Sequence, residues 1–563
     1  MANRRTFLNV ENSANGRRWV ERLSAPQANI ALNIAQTRDV PDILARVLAA
    51  RGVLSEQVDQ FLNPTIKELM TDPRSMTDAQ KAASRLVDAI TAGERIAIFG
   101  DYDVDGASSS ALLNRYLSHF NLETEIYIPD RIFEGYGPNE TAIKKLAQSN
   151  DLIVTVDCGT NSAAAFEAVA EDNVEIIVLD HHQVGGELPE VVAIVNPNRE
   201  DDLSGLGHLC ACGVVFMTLV EVSKQLREKG HSDLPDLMRM LDLVALATVC
   251  DVVPLIGLNR AFVAKGLVTA RHQSNPGLAA LATVSRIGEP INPFHFGFLI
   301  GPRINAGGRI GDASLGARLL TETDSTKAAE IAQELDRLNA ERQAIEVQMV
   351  EEAKAEAERE LQSASPPAIV VTASEDWHPG IVGLLASRLK DATKRPAFAI
   401  AFKPIGEGTG SGRSIAGFDL GKTVRGALEQ GLLLKGGGHA MAAGITVEKS
   451  KLGALRAYFD EVAADSVDNL VQAAEQQIDG AISAGGANLA LIEQLEKAGP
   501  YGAGNPEPVF ALPNHLVVFS KPVGQGHLKV SLRAQDGSQI DGIAFRALET
   551  EIGKILNQGK QQL

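Results

Sequence analysis

The rhythm of apolar and polar positions changes several times along this chain, and each change marks a different kind of element. Up to about residue 90, DILARVLAARGV and AASRLVDAITAGE carry apolar residues at helical spacing between polar breaks, and Gly93 stops the second run. From about residue 94, short runs rich in β-branched residues (RIAIFG, ETEIYIP, DLIVTVD, VEIIVLD, VVAIVNP) alternate with Ala- and Leu-rich stretches of helical character. That alternation predicts a parallel sheet covered by helices. Residues 321–365 contain no Gly or Pro and hold 12 acids against 5 bases. They predict a long, solvated helix bridging two domains, ended by Pro366 and Pro367. A second α/β segment follows (AIVVTAS, GIVGLLASRL, PAFAIAF), with glycine-rich turns expected at GEGTGSGRS and KGGGHAMAAG. From about residue 478 the pattern turns β-rich with Gly, Pro and Asn at the breaks, which predicts a small barrel. The last residues, KILNQGKQQL, do not read as a closing strand, so this barrel is expected to be truncated.

The expected organisation is therefore α/β throughout its middle. An N-terminal helical segment spans 1–90, a parallel-sheet domain 91–320, a connecting helix 321–365, a second α/β domain 366–465 and a β-rich domain 466–563. A length of 563 residues agrees, being too great for one core and suited to three or four domains. With 45% hydrophobic and 22% charged residues, the chain is neither disordered, nor fibrous, nor a small disulfide scaffold. A net charge of −18 argues weakly against indiscriminate coating of nucleic acid. Local balance differs, since residues 366–450 hold 10 Lys or Arg against 7 Asp or Glu, which leaves room for an anionic ligand. The four cysteines form no CxxC pair and predict reduced thiols in a cytoplasmic protein. No export signal opens the chain and no run of about 20 apolar residues occurs, so no membrane association is expected.

Chemistry concentrates at the ends of the predicted strands, where open parallel sheets bind ligands. DYDVDG supplies Asp101, Asp103 and Asp105 within five residues. Three carboxylates so close repel one another unless a hard cation neutralises them, although a solvated turn or an incomplete calcium loop would also use them. Asp157 follows another strand, where a helix cap is the plainer alternative. Asp180, His181 and His182 follow IIVL, and Asp251 follows VALATVC. The set is rich in oxygen and poor in thiolate, which favours Mg²⁺ or Mn²⁺ over structural zinc. Two such ions about 3.5–4 Å apart would clamp a phosphate and activate water for in-line attack. Ser411, Arg413 and Ser414 in GTGSGRS would converge on a phosphate from a flexible glycine turn, and KGGGHAMAAG brings backbone to a ligand beside His439. An ordinary turn is the alternative for both. GPRINAGGR adds Arg303, Asn305 and Arg309 in a further loop, where structural salt bridges are the alternative.

DYDVDG, TVDCGTN, LDHH and TVCDVVPL, in this order, resemble the four motifs of the DHH phosphoesterase superfamily, and WHPGIVGLLASRL, SGRS and KGGGHAMAAG resemble its DHHA1 domain. FLNPTIKEL, GPRINAGGR and LNAERQ narrow the resemblance to the RecJ branch of single-stranded-DNA exonucleases, over roughly residues 50–545. The resemblance implies two Mg²⁺ or Mn²⁺ ions held by Asp103, Asp105, Asp157, His181 and Asp251, with Asp101 as a further acid. His182 would contact the scissile phosphate or assist the leaving oxygen, and Arg303, Asn305 and Arg309 would lie near the phosphodiester backbone. Ser411 and Arg413, with Ser414 beside them and Arg131 as helper, would take the 5′-terminal phosphate, while His439 lines the opposite wall of the cleft. The C-terminal barrel would be an OB-fold whose Lys529, Arg533 and Phe545 track single-stranded DNA. A 5′-to-3′ exonuclease of recombination and repair follows, expected as a monomer partnered by single-strand-binding protein and a helicase. Phe99 departs from the small DHH phosphodiesterases, which carry histidine there, so the first metal site should lean on carboxylates. The rival implications are a phosphodiesterase of short oligoribonucleotides or cyclic dinucleotides, and a non-catalytic scaffold.

Overall fold

The computed structural model describes residues 4–363, 365–472, 474–524 and 526–558, apart from the side chain of Gln472. It divides into two compact units, Leu69–Val471 and Met1–Glu68 with Gln472–Leu563.

In the larger unit, the apolar runs become strands because each central one is enclosed on both faces. Helix α1 (Ala79–Ala92) ends at Gly93, whose φ of 69° places it in the left-handed region. Strand β1 (Ile96–Gly100) leads into helix α2 (Val104–Ser118), and edge strand β2 (Thr124–Tyr127) follows. Strands β3 (Leu152–Val156), β4 (Glu175–Leu179) and β5 (Ala193–Val195) complete a five-stranded sheet in the order β2-β1-β3-β4-β5, every pair parallel. Register matters most for the chemistry. Gly100 pairs with Val156, and Val156 with Leu179, so the three residues that follow, Asp101, Asp157 and Asp180, leave the sheet at one edge. Phe99 is wholly buried and stacked on Tyr127 with ring centroids 5.5 Å apart. It belongs to the core under the site and supplies no ligand.

Helices α3 (Ala211–Glu228), α4 (Leu241–Cys250) and α5 (Gly301–Ile310) follow. The GPRINAGGR segment, expected as a loop, is α5. Pro302 sits where π-helical turns (His295–Ile300) pass directly into α5, and Gly308 lets the helix press on Tyr102, which an added Cβ would meet at 3.1 Å. Helix α6 (Ser325–Leu361) has the expected length but is not solvated all round. Ala328, Ala332, Leu335, Leu338, Met349, Ala353 and Ala357 form a buried stripe along it. The stripe is narrow and alanine-rich, so the charges of the other faces hid it in the sequence.

The second sheet comprises β6 (Val370–Ser374), β7 (Ala397–Phe402), β8 (Glu407–Arg413), β9 (Lys435–Gly438) and β10 (Ala442–Glu448), ordered β9-β10-β8-β7-β6. Helix α7 (Val382–Thr393) joins β6 to β7, and α8 (Leu420–Glu429) precedes β9. Both glycine-rich segments, expected as turns, are strands here. An added Cβ at Gly412 would lie 2.4 Å from the Phe398 ring, and one at Gly410 would lie 2.8 Å from Ile445. The glycines of β8 thus make space for large neighbours, and KGGGHAMAAG is the β9–β10 hairpin with His439 at its turn.

The smaller unit shows that the first 90 residues are not one helical segment. A strand, Arg18–Glu21, pairs in parallel with Glu475–Ile478, a partner no local pattern could announce. Asp479 then draws Arg22 (3.0 Å) and Arg51 (3.4 Å) into buried ion pairs and accepts the Val509 backbone N–H (2.9 Å). Further on, Leu516–Val523, His527–Arg533 and Gln539–Ala544 form an antiparallel sheet whose inner face, with Val517, Leu528 and Val530, packs against the helix Glu551–Asn557. Part of KILNQGKQQL is therefore helical, and residues 559–563 lie outside the described residues. No helix among the described residues is long and apolar enough to cross a membrane.

Candidate metal centre and phosphate pocket

Each acid of the centre is fixed by its backbone surroundings. Asp103 caps α2, its Oδ1 accepting the N–H groups of Asp105 (2.9 Å) and Gly106 (3.1 Å). Gly106 allows the first turn of α2 to nest on the motif, since an added Cβ would fall 2.3 Å from the Asp101 carbonyl oxygen. Asp105 accepts the N–H groups of Ala211 (2.7 Å) and Cys212 (2.8 Å) at the start of α3. Asp157 emerges from β3 with a left-handed φ of 61°. Asp251 follows the last residue of α4.

His181 completes the group. Its Nδ1 lies 3.1 Å from the Leu209 carbonyl oxygen, which makes that nitrogen the donor and leaves Nε2 facing the acids. Nε2 is 3.3 Å from Asp157, 3.7 Å from Asp251 and 3.8 Å from Asp105. Asp180 organises the remainder of the motif. It accepts the backbone N–H groups of His181 (2.7 Å), His182 (3.1 Å) and Thr160 (3.1 Å) and the His182 Nδ1 at 2.8 Å. Against the cost of burial, these bonds hold Asp180 below the usual carboxylate range. Burial opposes charge on His182 too, but Asp180 and the nearby acids outweigh it and push the imidazole up to about 9.

The donor set fits hard divalent cations. Ligand atoms lie within 4.8 Å of one another in three groups: Asp101, Asp103 and Asp157; Asp105, His181 and Asp251; and Asp157, His181 and His182. One oxygen of Asp101 and one of Asp157 are buried with no hydrogen-bond partner, although such acceptors are costly to leave unmatched. Burial, followed by mutual repulsion, raises Asp101 and Asp157 well above the carboxylate range and pushes Asp251 up to about 9. Without a cation these acids would bind protons; with one they are ionised ligands. The four cysteines form no disulfide, and burial raises every thiol, so oxygen and imidazole are the donors.

A second, cationic feature lies where β8 meets α7. An added Cβ at Gly383, in the first turn of α7, would come within 3.3 Å of Arg413 Nη2 and 3.6 Å of Ser411 Oγ. Burial first, then Arg131, Arg342 and Arg413, push Arg309 down to about 10, and burial and Arg131 lower Arg413. Arg309 and Arg413, each lowered by burial and by neighbouring guanidinium groups, stand beside the Ser411 hydroxyl and the start of α7 in an arrangement that an anion would stabilise. Arg131 itself packs over the Tyr102 ring at 5.3 Å.

Two expected phosphate contacts are engaged elsewhere. Ser414 is buried and donates its hydroxyl to the Phe418 carbonyl (2.7 Å), so it holds the chain after β8 and cannot reach a phosphate. Arg303 is paired with Asp336 of α6 (2.8 Å) and donates to the Leu299 carbonyl (2.7 Å), the salt-bridge role. Asn305, half-buried on α5, is not brought into the acidic groups. His439 stands at the turn of the β9–β10 hairpin. It lines a cleft of about 650 Å³ with His181, His182, Asp251, Asp419 and Arg425. Three participants went unassigned in the sequence: Asp180 as an anchor, Arg425 in the cleft, and Tyr136, only five residues beyond Arg131.

Comparisons with known proteins agree with this geometry. Residues 95–248 match the DHH family, N-terminal domain, residues 366–479 the DHHA1 domain and residues 478–561 the RecJ OB domain. The single-stranded-DNA-specific exonuclease RecJ of Escherichia coli K12 is 37% identical over 529 residues, covering 90% of this chain and 89% of the relative. Its Bacillus subtilis counterpart is 33% identical over 542 residues, covering 95% and 66%. The crystal structure of Thermus thermophilus RecJ with Mn²⁺ superposes with a TM-score of 0.76 at 30% identity, covering 92% of this chain and 72% of that one. The Mg²⁺ complex of that protein gives a TM-score of 0.70.

Proposed function

Because the chain belongs to the RecJ family of single-stranded-DNA-specific exonucleases, we propose that its carboxylate–histidine centre removes nucleotides from the 5′ end of the strand. The chain is a metal-dependent exonuclease of single-stranded DNA. One observation carries the mechanism: Asp157, with an unmatched buried oxygen, and His181 each belong to two of the three ligand groups, so the groups form one continuous donor set that would hold divalent cations. Asp101, Asp103, Asp105, His181 and Asp251 would hold the rest of the coordination. When bound, Mg²⁺ or Mn²⁺ supplies Lewis acidity toward the scissile phosphate and the means of ionising water at neutral pH.

The protein's own groups do the remainder. Asp180 holds the His182 imidazole at the mouth of the centre, where it meets charge developing on the phosphate or leaving oxygen. Arg413, Ser411, Arg309 and Arg131 receive the terminal 5′-phosphate, which supports the polarity. Admission of one strand and exclusion of a duplex by the width of the cleft belong to the same reading. Arg425, exposed and lining that cleft, suits a backbone phosphate further along the strand. On the C-terminal sheet, Phe519, Lys521, Arg533, Ile543 and Phe545 lie on the face opposite its core, a surface for stacking bases and pairing phosphates, where Lys529 is held by Asp541 (3.0 Å). A monomeric, cytoplasmic enzyme of recombination and repair, working with single-strand-binding protein and a helicase, belongs to the same reading.

The test is digestion of a 3′-labelled single strand with Mg²⁺, Mn²⁺ or EDTA. A ladder shortening from the 5′ end, absent in EDTA, is expected. Release of the label as a mononucleotide at the earliest times would reverse the polarity, and activity confined to dinucleotides would favour the small-molecule phosphodiesterases.

A further inference from the structure

We propose that Tyr136 is a positioning residue for His182, an inference that rests on the reading of this centre as the hydrolytic site. Tyr136 Oη lies 3.1 Å from the Asp157 carbonyl oxygen and 3.1 Å from both ring nitrogens of His182. The two rings meet edge-on at 5.5 Å. The hydroxyl donates its one proton to the Asp157 carbonyl, so it is anchored to the backbone while its oxygen faces the imidazole. Asp180 grips Nδ1 of the same imidazole at 2.8 Å. One contact leaves a ring free to swing about the bond that carries it; two contacts from different elements define its plane.

The loop bearing Tyr136 is built to hold that position. Asp130 Oδ1 accepts the N–H groups of Ile132 (2.8 Å) and Phe133 (3.0 Å). The Glu134 carboxylate accepts the Asp130 N–H (3.0 Å) and the hydroxyl of Tyr127 (2.8 Å), the last residue of β2. Tyr136 is thus tied to the edge strand, and it brings to His182 a constraint from outside the four acidic and histidine motifs. Its ring remains half exposed, so removing the hydroxyl opens no cavity in the core.

A double-mutant cycle separates this role from general support of the centre. Y136F, H182A and the double variant are compared on a 3′-labelled single strand at saturating Mn²⁺, with Mn²⁺ binding measured by calorimetry. Y136F is expected to lower kcat by about 10- to 100-fold, the usual effect of losing a group that orients an active residue. KM should move less than about 3-fold and Mn²⁺ affinity should hold, while the double variant should be no slower than H182A within about 2-fold. Additive losses would mean that Tyr136 acts independently of His182 and would overturn the proposal. Weakened Mn²⁺ binding in Y136F would route the effect through Asp157 and overturn it as well. A wild-type chain that binds Mn²⁺ yet leaves every single strand intact would instead sink the exonuclease reading, and this role with it.

Discussion

At the scale of single residues, the acidic centre works through geometry set by neighbours that do no chemistry. Asp103 spends one oxygen on the start of α2 and keeps the other free, and Asp105 is oriented by two N–H groups of α3. In the proposed phosphate pocket, burial and then Arg131 lower Arg413, so an anion bound there would favour its charged form. Arg413→Ala should therefore reduce the preference for 5′-phosphate over 5′-hydroxyl ends by about 10-fold or more, as expected for a charged hydrogen bond, with a smaller effect on 5′-hydroxyl strands. Rates on matched oligonucleotides with either end check it; equal losses on both would remove Arg413 from the pocket. The aspartates and histidines that gather at the sheet edge stood out in the sequence by type and spacing, while the roles given to them and to Arg413 came from the resemblance. Ser414 was misplaced because adjacency in sequence says nothing about alternation in and beyond a strand, and Arg303 because its partner Asp336 sits 33 residues away.

At the scale of elements, close packing explains where local pattern misleads. Glycine runs usually announce turns, but in β8 they let Phe398, Phe402, Ile400 and Ile445 cover one face while Ser411 and Arg413 stand on the other. The strand Arg18–Glu21 and the Asp479 cluster join segments more than 420 residues apart. Asp479 is almost fully enclosed, with its side chain 1% exposed and Arg51's 3% exposed. Truncating it leaves two buried cations without their counter-ion, so Asp479→Ala should destabilise the smaller unit by about 3–5 kcal/mol. Denaturant unfolding of the full chain would show this as an early transition, with the helices of the larger unit melting later. An unshifted profile would mean that Arg22 and Arg51 find other partners.

At the scale of the whole molecule, the acidic total of −18 conceals surfaces of opposite sign. The C-terminal sheet presents Lys521 over the Phe519 ring (6.0 Å) and Phe545 beside His527 (5.5 Å), with Arg533 exposed on the same face. Replacing Lys521 and Arg533 by Ala should lower the salt dependence of single-strand affinity by about 0.7 for each phosphate no longer neutralised. Phe545→Ala should weaken binding by about 1–3 kcal/mol at any salt. Fluorescence anisotropy across a salt series separates the two, and an unchanged slope would move the strand off this face. The sequence by itself determined the parallel α/β core, the long helix, the later α/β and β-rich segments and the clustering of acids and histidines at predicted strand ends. Strand periodicity and clustered charge are local properties, readable within a few residues. Only the tertiary structure decided that Gly100, Val156 and Leu179 stand in register and deliver their aspartates to one edge. It likewise seated Tyr136 on His182 and closed the N-terminal strand on residue 475, because those outcomes depend on contacts between distant segments that no local pattern encodes.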